Sequence, residues 1–143
     1  SRGLGDVYKR QLYILIQIIA AVLGTLFANY IFGLNVIEFS SNIRSGANIY
    51  ISEIFAATGL LLVILLSRAD GKNVVSFNVG IYITAALIFT SSTSFANPAV
   101  TVARMFTESF TGINPSTVIF FISCQVIGMF AAYILYNQFF KSK

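Results

Sequence analysis

Residues 91–104 read Ser-Ser-Thr-Ser-Phe-Ala-Asn-Pro-Ala-Val-Thr-Val-Ala-Arg, a hydroxyl-rich stretch that runs into an Asn-Pro pair. All of them except Arg104 lie in a segment without charged side chains that extends from Asn73 to Ala103. A helix that crosses a bilayer needs roughly 20 mostly apolar residues, so this segment is too long for one span and too short for two spans with a loop. Because asparagine is a favoured N-cap and proline suits the first helical position, the pattern predicts a new helix over residues 98–108.

The predicted helix over residues 98–108 has two interpretations. At 1.5 Å per residue it is about 16 Å long, roughly half of a membrane core, which favours a re-entrant half-helix that enters the membrane without crossing it. The alternative is a surface helix in which the Asn-Pro pair is ordinary capping. The local sequence by itself favours neither interpretation over the other.

The composition of the whole chain indicates a membrane protein. Of its 143 residues, 57% are hydrophobic and 10% are charged, whereas soluble domains carry about 25% charged residues. Further charge-free runs cover residues 11–37 and 109–140. We predict an all-α protein with one membrane domain over residues 11–143, preceded by a polar lead-in at residues 1–10 that is a loop or a non-native segment. The four predicted membrane spans are residues 11–33, 49–67, 74–92 and 116–139.

The same composition argues against several other classes of protein. The net charge of +4 comes from basic residues that form no cluster, which is atypical of nucleic-acid binding. With no histidine and a single cysteine, Cys124, the chain lacks the residues for a disulfide framework or a usual zinc site, and we expect neither a metal nor a cofactor. No short apolar segment with a small-residue cleavage site opens the chain, so no cleavable signal peptide is expected.

The distribution of lysine and arginine predicts the orientation of the four spans. One side of the membrane would hold the N-terminal flank, the turn at residues 68–72 and the C-terminus. The basic residues of that side are Arg2, Lys9, Arg10, Arg68, Lys72, Lys141 and Lys143. The other side would hold only Arg44 and Arg104. Because cytoplasmic loops carry an excess of basic residues, both termini are predicted to be cytoplasmic and the half-helix to enter from the outside.

Asn97-Pro98-Ala99 resembles the Asn-Pro-Ala box of the major intrinsic protein family, the aquaporins and glyceroporins. The box follows one predicted span and precedes another, and a glutamate, Glu53, lies in the helix before the first of these. Gln125-Val126-Ile127-Gly128 in the last span and Gln17 in the first also resemble the family. The resemblance therefore extends from Gln11 to Tyr136.

The resemblance implies an aquaporin-like helical bundle. The family has six spans and two half-helices, each tipped with the box, and this chain would supply spans three to six with the second half-helix. A first half is disfavoured because a further helix precedes the one that bears Glu53, and because it would place most basic residues outside. Residues 11–143 are then a partial channel domain, and we expect the complete protein to be a homotetramer in a bacterial cytoplasmic membrane.

The chemistry of such a box follows from its residue types. A half-helix that ends inside the membrane points unpaired N–H groups and about half a positive charge toward its tip. Irregular backbone at that depth is tolerated only where it lines a cavity or is buried in protein. The Asn97 amide offers further donors to a passing oxygen atom. The site would thus pass uncharged polar solutes and repel cations and hydronium.

Glu53 is the carboxylate that the predicted spans place inside the membrane. A charge at the centre of a span costs roughly 2.5–3.5 kcal/mol, so this residue needs a specific role. The resemblance implies that Glu53 braces the backbone N–H groups of the re-entrant loop, and we favour that role over proton relay.

The positions of the family's selectivity filter are located in this chain by counting residues, without gaps, from the box asparagine. The implied filter positions are Ala85, Ser94 and Val100. Val100 stands where the family has an arginine, as in bacterial members with valine there, and the small side chains predict a wider, less water-specific passage. Arg104 lies one helical turn, about 5.4 Å, farther out. It either guards the outer mouth or snorkels and pairs with Glu108.

The sequence therefore predicts a passive channel for small uncharged solutes such as water, glycerol and neutral metalloid acids, not an enzyme. The main alternative is a broken-helix secondary transporter, for which one intramembrane carboxylate offers little to build a coupling-ion site. A membrane enzyme is disfavoured because the chain has no histidine and no paired carboxylates inside its spans. A purely structural four-span protein would leave the half-helix unexplained. The expected partners are the lipid bilayer and the solutes, without nucleic acid.

Overall fold

The computed structural model describes residues 2–68 and 71–140, with side chains from Val7 onward. It is 76% helical. Its α-helices are α1 (Arg2–Ile31), α2 (Ala47–Ser67), α3 (Lys72–Phe89), α4 (Pro98–Ala103) and α5 (Pro115–Leu135), followed by a π-helical turn over Tyr136–Phe140. Four stretches are long and apolar enough to cross a membrane: Val7–Ile31, Ala47–Ser67, Lys72–Phe89 and Pro115–Phe140. The predicted all-α class with four membrane-length helices is confirmed.

The ends of the helices follow local chemistry. Asn114 precedes Pro115 and accepts hydrogen bonds from the backbone N–H and the hydroxyl of Ser116 at 3.0 and 2.8 Å, as an N-cap does. Gly46 precedes α2 at a φ of 125°, which glycine adopts without a steric penalty. At the other end, α3 stops at Phe89 rather than at residue 92 as predicted, because Thr90 turns to an extended conformation.

The N-terminal segment differs from the sequence prediction. Helix α1 begins at Arg2, so residues that were predicted to form a polar lead-in continue the first helix. The segment contains no proline, and a helix ends where its hydrogen bonds are interrupted rather than where its polarity changes.

The helix that starts at Pro98 is shorter than the predicted 98–108. It ends at Ala103 and passes through a 3-10 turn over Arg104–Phe106 to the extended residue Thr107. A helix to Glu108 would bond the Arg104 carbonyl to the Glu108 N–H, but this carbonyl accepts a bond from Ile113 N at 3.1 Å. The next two carbonyls, at positions 105 and 106, accept bonds from Ser40 N and Asn29 Nδ2. The prediction of a helix to Glu108 was therefore wrong, because bonds to other segments take the place of a further helical turn.

The chain divides into two compact units. The first comprises Ser1–Ile43 and Ala99–Val118, and in it α1 contacts the 3-10 turn. Buried Asn29 of α1 fixes this contact by donating to the backbone oxygens of Val36 and Phe106 at 3.2 and 2.8 Å.

The second unit comprises Arg44–Pro98 and Ile119–Lys143. Helix α2 packs against α3, where the Tyr82 hydroxyl donates to Ala56 O at 2.9 Å. It also approaches α5 at Gly128, whose carbonyl accepts a bond from the Thr58 hydroxyl at 3.1 Å. Small residues on membrane helices permit such close backbone approach.

Candidate functional site

The loop between α3 and α4 has an unusual backbone. We call residues 90–96 the serine–threonine loop. Three of its non-glycine residues adopt left-handed conformations: Thr93 at φ 59°, Ser94 at φ 43° and Ala96 at φ 47°. Each such residue costs on the order of 1–3 kcal/mol and persists only where the surroundings hold it. The loop must therefore be held by specific contacts.

Glu53 of α2 supplies the first set of these contacts. Its side chain is fully buried and its carboxylate accepts hydrogen bonds from Phe95 N at 3.3 Å and Ala96 N at 2.7 Å. The Gln125 amide of α5, also fully buried, donates to the same carboxylate at 2.7 Å. Three donors thus satisfy a buried charge that would otherwise be costly.

Arg44 supplies a second set of contacts to the loop. Its guanidinium donates to Ser92 O at 3.3 Å and lies over the Phe95 ring, 5.1 Å from the centroid. The Arg44 side chain is 6% exposed. Burial lowers the pKa of this guanidinium from its ordinary value, and the negative charge of Glu53 opposes that shift. An arginine remains protonated at neutral pH.

Hydroxyl groups fill the rest of the loop. Ser92 N donates to the Ser52 hydroxyl at 3.3 Å, and Ser94 N donates to the Ser92 hydroxyl at 3.3 Å. The buried hydroxyl oxygens of Thr93 and Ser94 have no hydrogen-bond partner within the described part of the chain. Since buried polar groups are usually bonded, these two are suited to an exchangeable partner such as water or a polar solute.

The Asn-Pro-Ala box joins this loop to α4. Asn97 and Pro98 are half-buried, Pro98 is the first residue of the helix, and Ala99 is buried. The Asn97 side chain carries an amide with two donors and one acceptor oxygen. Among the predicted filter positions, Ser94 lies in the loop, whereas Val100 is half-buried on α4 and Ala85 is exposed on α3. Ala85 and Ser94 belong to the second unit and Val100 to the first, so their joint constriction stays a prediction.

Arg104, the predicted outer-mouth residue, lines a cavity of about 460 Å³ in the first unit. Asn29, Thr107 and Ser109 are among the other lining residues. The alternative pairing of Arg104 with Glu108 is not what the Glu108 contacts indicate. The Glu108 carboxylate accepts bonds from the Ser41 backbone at 2.5 Å and hydroxyl at 2.6 Å. The Ser41 hydroxyl and N–H, with Ser40, lower the pKa of Glu108.

Sequence reasoning left three buried residues without a role. Gln125 was used only as part of the family resemblance, Arg44 only in the count of basic residues, and Asn29 only in a faint internal repeat that pairs it with Asn137. Each is a polar side chain within or beside an apolar run, and this is the signal that the sequence offers. Their partners could not be predicted, because Ser92, Glu53 and Phe106 lie 48 or more positions away in the chain. Among residues 2–68 and 71–140 no three His, Cys, Asp or Glu side chains group to hold a metal ion.

The site as a whole offers neutral hydrogen-bonding groups rather than reactive ones. The loop itself carries hydroxyl groups, and the charged side chains that contact it within residues 2–68 and 71–140, Arg44 and Glu53, bond to its backbone atoms. Such groups can bind and release a polar solute, since each can exchange one hydrogen bond for another with water.

Comparison with known proteins finds a similar membrane protein. The chain is 41% identical over 123 residues to Aquaglyceroporin AqpS of Rhizobium meliloti (strain 1021), a match that covers 86% of this chain and 53% of the relative. The chain thus spans about half the length of the curated relative it matches. No family model matches the chain, and no solved structure does. On this identity the predicted resemblance is confirmed: the chain is an integral membrane protein that is similar to the C-terminal portion of a member of the major intrinsic protein family.

Proposed function

We propose that the chain forms part of a passive channel for small uncharged solutes, and that the serine–threonine loop with the Asn-Pro-Ala box lines the solute path. Water and glycerol are the first candidates, and neutral metalloid acids such as arsenite the next. The similarity to a protein named an aquaglyceroporin supports this class of solute.

The observation that carries the proposal is the buried, braced loop with spare hydroxyl groups. Glu53 holds Phe95 N and Ala96 N, which stabilises the left-handed backbone at Ser94 and Ala96. The hydroxyls of Thr93 and Ser94 are buried and have no bonding partner within the described residues. A membrane protein tolerates irregular polar backbone where it lines a cavity or a water-filled path, and these groups would exchange bonds with a passing solute.

The size of the path would depend on the filter positions. Ala85, Ser94 and Val100 are small or medium residues, and Val100 carries no charge or donor. The valine side chain is smaller than that of the arginine which the family has at this position, so the path would be wider and would admit solutes larger than water. Arg104 would guard the outer mouth, beside the cavity that it lines in the first unit.

The transporter alternative lacks a site for a coupling ion. Glu53 is the intramembrane carboxylate available for one, and its oxygens accept three hydrogen bonds from Phe95, Ala96 and Gln125. A carboxylate engaged in this way is a brace and would have to break those bonds to carry a proton or a cation.

The proposal includes an orientation and an assembly. Both termini would lie in the cytoplasm of a bacterial cell and Arg44 and Arg104 on the outside, as the distribution of basic residues predicts. The complete protein would be a homotetramer in the cytoplasmic membrane. A reporter fused after Lys143 that is active only in the cytoplasm tests the orientation, and an active periplasmic reporter would contradict it.

Permeation is testable in a completed channel, by which we mean residues 1–143 preceded by the N-terminal portion of AqpS that the match does not cover. Proteoliposomes should swell in glycerol at a rate at least tenfold above empty vesicles, in proportion to the gradient. The rate should not change when sodium and proton gradients are collapsed. A rate that requires either gradient would contradict a passive channel and favour the transporter.

A matched pair of variants locates the path. Asn97→Leu removes the box amide while keeping a similar shape, and we expect at least a tenfold loss of glycerol flux per folded protein. Asn137→Leu makes the same change in the π-helical turn, where the amide bonds only to Tyr133 O, and should keep the flux within twofold. Equal effects of the two variants would contradict a role for the box.

A further inference from the structure

We propose that Arg44 is a specificity-determining residue, whose guanidinium supplies the fixed positive charge beside the serine–threonine loop and thereby excludes cations from the path. This inference rests on the proposed function and names a residue that the box and the filter positions do not include. Arg44 lies in the segment before α2, far in sequence from the loop that it contacts.

The position of Arg44 is fixed by contacts on two sides. The guanidinium donates to Ser92 O at 3.3 Å, two residues before the filter position Ser94. It also stacks on Phe95, 5.1 Å from the ring centroid, and that ring in turn packs on Phe121 at 5.1 Å between centroids. A cation over an aromatic face within about 6 Å is attracted by the ring. The charge is thus held at a defined place beside the loop.

The local charge balance makes Arg44 the relevant cation. No charged side chain occurs from Asn73 to Ala103, so the loop and the box contribute none of their own. The nearby Glu53 is fully buried, and its negative charge is offset by donors from Phe95, Ala96 and Gln125.

Burial extends the reach of this charge. The Arg44 side chain is 6% exposed, and a buried charge is screened little by salt. Its potential therefore acts at the neighbouring loop residues without a direct contact between the guanidinium and a solute. Solutes without net charge are not repelled by that positive potential, whereas sodium and hydronium ions are.

The test compares charge-removing and charge-keeping variants in the completed channel. Arg44→Gln removes the charge and keeps hydrogen-bonding capacity, Arg44→Lys keeps the charge without the planar fork, and Lys72→Gln removes a charge from the exposed start of α3 as a control. Sodium and proton leak are measured by diffusion potential and by an entrapped pH dye, and glycerol flux by swelling. All are normalised to folded protein.

We expect Arg44→Gln to raise the ratio of cation leak to glycerol flux about tenfold, and both Arg44→Lys and Lys72→Gln to leave that ratio at the parent value. An unchanged ratio in folded Arg44→Gln overturns the inference. So does a ratio in Arg44→Lys equal to that of Arg44→Gln, because the charge would then not be the cause.

Two further outcomes are also decisive. If Arg44→Gln is not recovered folded, Arg44→Lys decides: a ratio at the parent value supports the inference, and a tenfold rise in the ratio overturns it. If the parent itself conducts no glycerol, the proposed function fails and the inference falls with it. A parent that conducts, with an Arg44→Gln variant whose ratio is unchanged, refutes only the role of Arg44.

Discussion

Glu53 joins three elements through one buried carboxylate. It accepts bonds from Phe95 N, Ala96 N and the Gln125 amide, and so connects α2 to the serine–threonine loop and to α5. Glu53→Leu would leave these donors unpaired, at about 1–3 kcal/mol for each buried group. Glu53→Gln keeps one acceptor oxygen, which can still serve Ala96 N and the amide. We therefore expect Leu to reduce the folded yield and thermal stability far more than Gln.

The same pair separates bracing from ion coupling. Thermal unfolding in detergent and transport in vesicles are measured for both Glu53 variants of the completed channel. Normal yield with complete loss of transport in both variants would contradict the bracing role. Both changes remove the ionisable carboxylate, so equal loss of transport would indicate that the charge itself is needed for ion coupling.

At the scale of the helices, the contact between α2 and α5 depends on Gly128. A Cβ added at this position would lie 2.5 Å from Ile54 O and 2.9 Å from the Ala57 side chain, so the helices would have to move apart. Gly128→Ala should destabilise the protein by about 1–3 kcal/mol, as overpacking does. Gly80→Ala is the control, because nothing lies within 4 Å of a Cβ there and alanine favours a helix.

Thermal unfolding of the two glycine variants in the same detergent decides this prediction. The Gly128 variant should unfold at a lower temperature than the parent, and the Gly80 variant at the same or a higher temperature. Equal shifts would mean that the close approach of α2 and α5 does not contribute to stability.

The loop before α2 is joined to the segment after α4 by the bond between Glu108 and Ser41. The Ser41 hydroxyl and backbone N–H lower the folded-state pKa of Glu108 below its ordinary 4.5. A depressed carboxyl pKa stabilises the folded contact above about pH 4.5, and that contribution is lost as the pH falls through the folded-state pKa. Hydrogen exchange at residues 38–43 should therefore quicken as the pH falls below 4.5, after correction for its intrinsic pH dependence.

Glu108→Gln is the control for that pH dependence. Its amide does not titrate, so the corrected exchange at residues 38–43 should be the same on both sides of pH 4.5. If the variant shows the same acid-induced quickening as the parent, the Glu108 contact is not its origin.

The elements differ in how far sequence predicts them. Hydropathy and charge-free runs indicate the four long helices, because the membrane imposes a length and an apolar surface on each. The early end of α3 at Phe89 was missed because the extended conformation of Thr90 has no local signal in the sequence. The early end of α4 at Ala103 was missed, since the residues that follow it bond to distant segments through Asn29 and Ser40. Arg44 was missed as a loop contact for the same reason: its partner Ser92 lies 48 positions away.

At the scale of the whole molecule, the chain spans about half of its relative's length. The family's channel uses six spans, and four membrane-length helices lie in the described residues. Vesicles that carry only residues 1–143 should therefore swell in glycerol no faster than empty vesicles, whereas the completed channel should swell at least tenfold faster. Selective glycerol flux through residues 1–143 alone would contradict the requirement for further spans.

The family could be recognised from the sequence because its box is short, local and placed between two spans. The arrangement of the filter could not, since Ala85, Ser94 and Val100 lie on three different elements and their joint geometry depends on packing. Counting from Asn97 gives the three filter positions, and their role in selectivity is tested by experiment.

The most direct test of the central claim, that the box segment lines the solute path, is the glycerol-to-water permeability ratio of Val100→Arg in the completed channel. The guanidinium would narrow the path and add a fixed charge, so we expect the ratio to fall at least tenfold at normal folded yield. Stopped-flow swelling in glycerol and in an impermeant osmolyte, normalised to folded protein, measures both permeabilities. An unchanged ratio at normal yield would contradict the claim.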